Sequence, residues 1–125
     1  MNILAVGDIV GSSGVKELQK RLPKVKTEYN VDFVIVNGEN AAEGFGITEK
    51  NFKDILSAGA DCVTMGNHTW GKKEIFKFID DPKLIRPANY PKEVCGKGYN
   101  IYKCKDKKIA VINALGRAEI NIMID

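Results

Sequence analysis

The sequence predicts an α/β domain built on a mostly parallel sheet with a C-terminal hairpin. Three short apolar runs, Asn2–Val6, Asp32–Val36 and Asp61–Met65, each end in a glycine beside a polar residue: Gly7-Asp8, Asn37-Gly38 and Gly66-Asn67. Helically spaced segments separate them. Short buried runs closed by turn residues and alternating with amphipathic helices are the pattern of parallel strands joined by crossovers.

The elements follow in order. After the first strand, Val15, Leu18, Leu22 and Val25 recur on one face, with Lys16, Glu17, Lys20 and Arg21 on the other, which predicts a helix from Ser12 onward. Pro23 lies inside it and predicts a kink or a split. The second helix has Thr48 as its N-cap, Phe52, Ile55 and Leu56 as its apolar stripe and Gly59 as its stop. A shorter third helix, from Lys72 to about Ile79, is expected to turn Ile75, Phe76 and Ile79 inward. Leu84–Pro87 reads as a short strand and Tyr90–Gly98 as a loop. Tyr99–Cys104 and Lys108–Asn113 read as a hairpin that extends or edges the sheet. The final Glu119–Asp125 segment alternates Ile120, Ile122 and Ile124 with other residues, as expected of a strand inside a larger fold or of a swapped terminal strand.

Composition narrows the function classes. The chain has 125 residues, 44% of them apolar and 28% charged, with a net charge of +3. These values suit one globular unit and exclude a low-complexity or fibrous chain. The charge is too small to declare a nucleic-acid or membrane partner. No apolar run is long enough to cross a bilayer, and the start of the chain has no basic leader. Three widely spaced cysteines (Cys62, Cys95, Cys104), without a CxxC pair, predict free thiols and a reducing cytoplasm. There is one histidine, His68. Chemistry needing several imidazoles must draw them from outside these residues.

The polar groups gather at the predicted strand ends: Asp8, then Glu39 and Asn40, then Asn67 and His68. In an open parallel sheet the carboxyl ends line one edge, where ligands bind. Two carboxylates, two carboxamides and an imidazole suit a hard or borderline divalent cation. Each residue also has a plainer reading: Asp8 as a turn or cap residue, Glu39-Asn40 as solvated turn chemistry, His68 as a hydrogen-bonded loop histidine. Their recurrence at three successive strand ends favours a site. Gly7–Gly14 lacks the spacing of a dinucleotide or P-loop fingerprint, leaving a weak anion signal at Ser12–Val15. Ala41–Ile47, with Phe45, is either a flap or a flexible loop. Trp70 reads as packing; Arg86 and Arg117 read equally as phosphate contacts and as surface charges.

Gly7-Asp8, Gly38-Glu39-Asn40 and Gly66-Asn67-His68 resemble the successive blocks of calcineurin-like metallophosphoesterases. More narrowly, GDIVGSSG, VNGENAAEGFGIT, GADCVTMGNHTW with KKEIF after it, and LIRPANYP look like the YmdB family of phosphodiesterases, from Asn2 to about Arg117. The resemblance implies the N-terminal half of a metallophosphoesterase-type β-sandwich flanked by helices. It implies a cytoplasmic enzyme with two divalent or mixed-valence metal ions, iron or manganese, acting on 2′,3′-cyclic nucleotides or related phosphodiesters and linked to RNA metabolism. Carried over, Asp8 binds one metal, Glu39 bridges both, Asn67 binds the second, Asn40 lies at the metal and phosphate edge, and His68 sits by the leaving oxygen. The family's further histidines come from the second half of the fold. The expectation is therefore a single domain, residues 1–125, incomplete at its C-terminal end, of low activity by itself and prone to homo-oligomerise. The competing expectations are a non-catalytic, self-associating fragment and a small nucleotide- or phosphate-binding module.

Overall fold

In the computed structural model, which describes residues 1–116 and 118, the chain forms three layers: helices, a central sheet and a hairpin. Arg117 and the Glu119–Asp125 pattern lie outside the described residues. The central sheet holds β1 (Ile3–Val6), β2 (Phe33–Asn37), β3 (Cys62–Thr64) and β4 (Leu84–Ile85), all parallel and in the order β1-β2-β3-β4. Crossovers between parallel strands are right-handed, so an order that never reverses sends the connecting helices to one face.

That face carries the main core. Helix α1 (Gly11–Glu28) contributes Val15, Leu18 and Leu22, and α2 (Glu49–Ser57) contributes Phe52 and Ile55. They meet Val34 and Val36 of β2 and Val63 of β3. Thr48 caps α2 as expected: its hydroxyl accepts the Asn51 N–H at 3.1 Å, and the Asn51 side chain accepts the Thr48 N–H at 3.3 Å. Gly59 ends it with a φ of +112°, in the left-handed region.

Three expectations need correction. Pro23 does not split α1, which runs unbroken through it; the proline sits on the exposed face, where water can satisfy the carbonyl that its missing N–H leaves free. The third helix is a 3-10 turn over Lys73–Lys77, with Ile75 and Ile79 buried and Phe76 exposed, stacked on Trp70 at 5.6 Å. The tighter helix moves Phe76 off the inward face.

The third correction concerns the hairpin. Strands β5 (Tyr99–Cys104) and β6 (Lys107–Ile112) form a separate antiparallel sheet closed by a two-residue turn. It does not continue the parallel sheet. Cys104, Ile109 and Val111 cover the face opposite the helices, packing with Phe33 and Cys62. One isolated bridge, Ile85 to Lys97, is the link at the β4 edge. The alternation in β6 explains the arrangement, because Ile109 and Val111 are apolar toward β2 and β3 while Lys108, Ala110 and Ile112 face out. The three cysteines are free, and burial pushes the Cys62 thiol up to about 11, which makes it inert at neutral pH. No helix among the described residues is long and apolar enough to cross a membrane.

Candidate metal and phosphate centre

The turns after β1, β2 and β3 meet at the carboxyl edge of the sheet, and backbone bonds lace them together. Ile9 N–H donates to Asn37 O at 3.1 Å, Gly11 N–H to Asn40 O at 2.9 Å, and Gly38 N–H to Thr64 O at 3.0 Å. Asp8 is exposed and held at a φ of +45°, a conformation that costs a non-glycine residue free energy and recurs at functional sites. It does not cap α1, whose cap position is Val10.

Side chains then form a relay. Asn40 Nδ2 donates to Asp8 Oδ1 at 2.7 Å, and Asn40 Oδ1 stands 2.5 Å from His68 Nδ1. The ionised Asp8 carboxylate only accepts, so it turns the Asn40 amide to present its oxygen to the histidine. His68 Nδ1 must therefore carry the hydrogen, leaving Nε2 as the nitrogen for other work. Glu39 enters from the same loop. Its Oε2 accepts the His68 backbone N–H at 3.0 Å, while Oε1 has no donor among the described residues. The carboxylate lies against Gly66, where a Cβ would stand 2.6 Å from Glu39 Cδ and nearer still to both oxygens. Only glycine leaves this space.

The turn carrying His68 is fixed from behind. Gly66 O accepts from Thr69 N at 3.1 Å, Thr69 Oγ1 at 2.6 Å and Tyr90 Oη at 3.3 Å. Desolvation raises the Tyr90 phenol, which stays a neutral donor. Phe45, on the Ala41–Ile47 loop, lies over the imidazole with ring centroids 4.8 Å apart. Asn67 is exposed at the end of β3 and makes no side-chain hydrogen bond among the described residues.

The sheet edge thus brings Asp8, Glu39, Asn40 and His68 into one bonded group, with Asn67 adjacent in the chain. Among the described residues no three His, Cys, Asp or Glu side chains cluster tightly enough to hold a metal ion. The carboxylate cradle at Gly66 and the unpaired Glu39 oxygen fit metal ligation, and the donors present make part of a coordination shell.

Two expectations change. The helix start at Ser12 is taken by the chain's own carboxylate, since Ser12 N–H donates to Glu43 Oε1 at 3.3 Å. Arg86 is no surface charge: it is 6% exposed and donates to the carbonyls of Pro87, Val94 and Cys95. Two supporting residues escaped the sequence reading. Tyr90 reaches Gly66, and Asn113 Nδ2 donates to Met65 O at 2.5 Å and Ile85 O at 3.3 Å, bracing the ends of β3 and β4. Neither carries a local signal for the contact it makes: Tyr90 stands in the LIRPANYP block where a loop begins, and Asn113 at a strand end.

The family model described as YmdB-like protein matches residues 4–125. A 2′,3′-cyclic-nucleotide 2′-phosphodiesterase of Bacillus subtilis (strain 168) is 54% identical over 118 residues, covering 94% of this chain and 45% of that protein. The crystal structure of a hypothetical protein from Thermus thermophilus superposes with a TM-score of 0.92 at 32% identity, over 100% of this chain and 49% of that one. That of a novel phosphatase from Mycoplasma pneumoniae gives 0.87 at 31% identity, over 97% and 44%. The chain spans about half the length of the curated relatives it matches. Matched by that family model over residues 4–125 and 54% identical to a curated relative over 118 residues, the chain belongs to the YmdB-like family.

Proposed function

We propose that this chain contributes the N-terminal half of a metal-dependent phosphodiesterase acting on 2′,3′-cyclic nucleotides or related phosphodiesters. The observation that carries the reading is the bonded group of Asp8, Asn40, His68 and Glu39 in the Gly66 cradle. A cyclic-nucleotide phosphodiesterase among the relatives supports it. Asp8, Glu39 and Asn67 would hold divalent metal, iron or manganese, with Asn40 at its edge. A bound metal pair supplies Lewis-acid stabilisation of the phosphate and a nucleophile at neutral pH.

The chain's own residues do the rest. Asp8 fixes the Asn40 amide, Asn40 fixes the His68 tautomer, and the ring presents Nε2 to the substrate. From there a protonated His68 gives its proton to the leaving oxygen, a contribution of about 10²–10⁴-fold. Glu39 holds the His68 backbone and keeps one oxygen for metal. One histidine and two carboxylates leave coordination positions to be filled from beyond these 125 residues, by water or by further chain. The three free cysteines are in keeping with a cytoplasmic setting.

The test uses the chain itself. With Mn²⁺, amides at Asp8, Glu39 and His68 should broaden selectively in NMR spectra, and Glu39→Gln should abolish the effect. Turnover of a 2′,3′-cyclic nucleotide should be slow. Full turnover by the 125-residue chain would overturn the half-site reading, and unchanged broadening in Glu39→Gln would overturn the metal assignment.

A second reading, self-association, is favoured by one feature. Leu4, Val6, Ile9, Leu18, Leu22 and Val25 line an apolar groove of about 350 Å³ beside the edge of β1, which pairs with no further strand among the described residues. Unguarded strand edges and apolar grooves are association surfaces. Light scattering at rising concentration tests it, with an unchanging monomer mass as the contrary result.

A further inference from the structure

A second concavity, of about 510 Å³, lies between the loop after β4 and the start of β5. Arg86, Tyr90, Lys92, Lys97, Tyr99 and Asn100 line it, and no acidic side chain is among its described lining residues. The volume is that of a small-molecule site.

Arg86 sets its character. The guanidinium is buried, and its hydrogen bonds go to three neutral carbonyls: Pro87 O at 2.7 Å, Val94 O at 3.0 Å and Cys95 O at 3.0 Å. These bonds use three of its five N–H groups and satisfy its polarity. They do not cancel its charge, and Arg86 forms no ion pair among the described residues. Asp80, a carboxylate in contact with this loop, accepts the Gly96 N–H at 3.2 Å instead, and Glu93, on the loop itself, is exposed and does not line the cleft. A buried cation without a counter-charge favours an anion brought close to it, because the low-dielectric surroundings screen it weakly. Lys92 and Lys97 at the mouth add to the same field.

Aromatic surface accompanies the charge. Tyr99 is 61% exposed, a large open ring on the wall of a cationic cleft. Cations with an open aromatic face form the combination that holds a phosphate while stacking a base. Tyr90, which also lines the cleft, touches the centre described above, since its Oη donates to Gly66 O behind Glu39.

We propose that this cleft binds the phosphate of a nucleotide, with Tyr99 stacking its base, at a position separate from the metal centre. The nucleotide is either free or part of a single strand.

The test is run without metal, on the ¹⁵N-labelled chain in EDTA, with inorganic phosphate, adenosine 5′-monophosphate and a single-stranded trinucleotide as probes. The nucleotides should shift the amides of Lys92, Lys97 and Tyr99, and should bind more tightly than inorganic phosphate. Reversing both lysines (Lys92→Glu with Lys97→Glu) should weaken binding about tenfold or more and lower the salt slope by about one per lost contact. Tyr99→Leu should remove the advantage of nucleotide over inorganic phosphate. The same reversal on α1, Lys16→Glu with Lys20→Glu, should change nothing. A tighter trinucleotide identifies a strand as the natural source, and equal affinity identifies a free nucleotide. Absence of shifts at the three amides, or equal weakening by both lysine pairs, would overturn the proposal. The Glu39 experiment needs metal and this one excludes it, so either can fail without the other.

Discussion

Gly66→Ala isolates the close approach on which the centre depends. Gly66 does not occupy the left-handed region, so alanine itself is unstrained there. The obstacle is Glu39: the new Cβ would stand 2.6 Å from its Cδ, well inside any tolerated contact. Because the obstructing atoms end a flexible side chain, Glu39 swings away and the backbone holds. What is lost is the bond from His68 N–H to Glu39 Oε2, 3.0 Å long. A charge-assisted bond of this kind is worth about 1.5–3 kcal/mol when dry. Glu39 is half-buried, which reduces that to about 1–2 kcal/mol. For a domain of this size the melting temperature should fall by about 3–10 °C. Circular dichroism measures that fall. The sharper readouts are the His68 amide, which should shift and exchange faster, and Mn²⁺ broadening, which should disappear. Gly7→Ala is the control, since nothing lies within 4 Å of a Cβ at Gly7, and it should be neutral. An unmoved His68 amide together with unchanged Mn²⁺ broadening in Gly66→Ala would refute the reasoning.

Two further predictions concern the scaffold. Thr48→Ala removes the hydroxyl that accepts the Asn51 N–H, leaving the Thr48 N–H bond to the Asn51 side chain, and should cost about 0.5–2 kcal/mol, read as a lower urea midpoint at unchanged slope; a loss too small to measure would contradict it. Asp32 is held below the ordinary carboxylate range by its bond from Lys105 and then by the Asn2 backbone N–H. A depressed carboxylate contributes stability above its unfolded value and loses it as pH falls through the folded one, so Asp32→Asn should flatten the acid limb of the melting curve in that window. Lys105 is exposed, so high salt should remove its share and leave the Asn2 share; a wild-type acid limb in the variant at low salt would refute the assignment.

The strands and the two α-helices were legible because each is decided by short-range pattern. Apolar runs closed by glycine gave β1, β2 and β3 within a residue or two, and Thr48 marked its helix by a mechanism that needs four residues. The candidate site was legible for the same reason, since right-handed crossovers gather consecutive strand ends without further information. What was hidden depends on contacts distant in sequence. The hairpin's own pattern defines its two strands and not which surface they cover. Phe76 turned outward because a 3-10 turn and an α-helix share an apolar spacing over so few residues. Arg86 looked like surface charge because its three acceptors are backbone carbonyls, which have no side-chain signature.

The residues from Asn37 to Gly46 bear more of the centre's order than any one ligand does. Asn37 O and Asn40 O receive the amides that follow β1, while Gly38 N–H bonds the end of β3, so the turn is stitched to both neighbouring strand ends. Its side chains repeat the pattern: Asn40 joins Asp8 to His68, Glu39 holds the His68 amide, Glu43 fills the start of α1 and Phe45 covers the imidazole. Four successive functions on one loop mean that a shift of its backbone moves Asp8, His68 and the α1 terminus together. The turn is held by close packing at its two ends. A Cβ at Gly38 would stand 2.8 Å from Val63 Cγ1, and one at Gly46, where φ is +80°, would stand 2.9 Å from Lys72 N. The glycines between strand and helix thus serve less as hinges than as the points where the loop is pressed against the core, and the arrangement of acid, amide and imidazole follows from that contact.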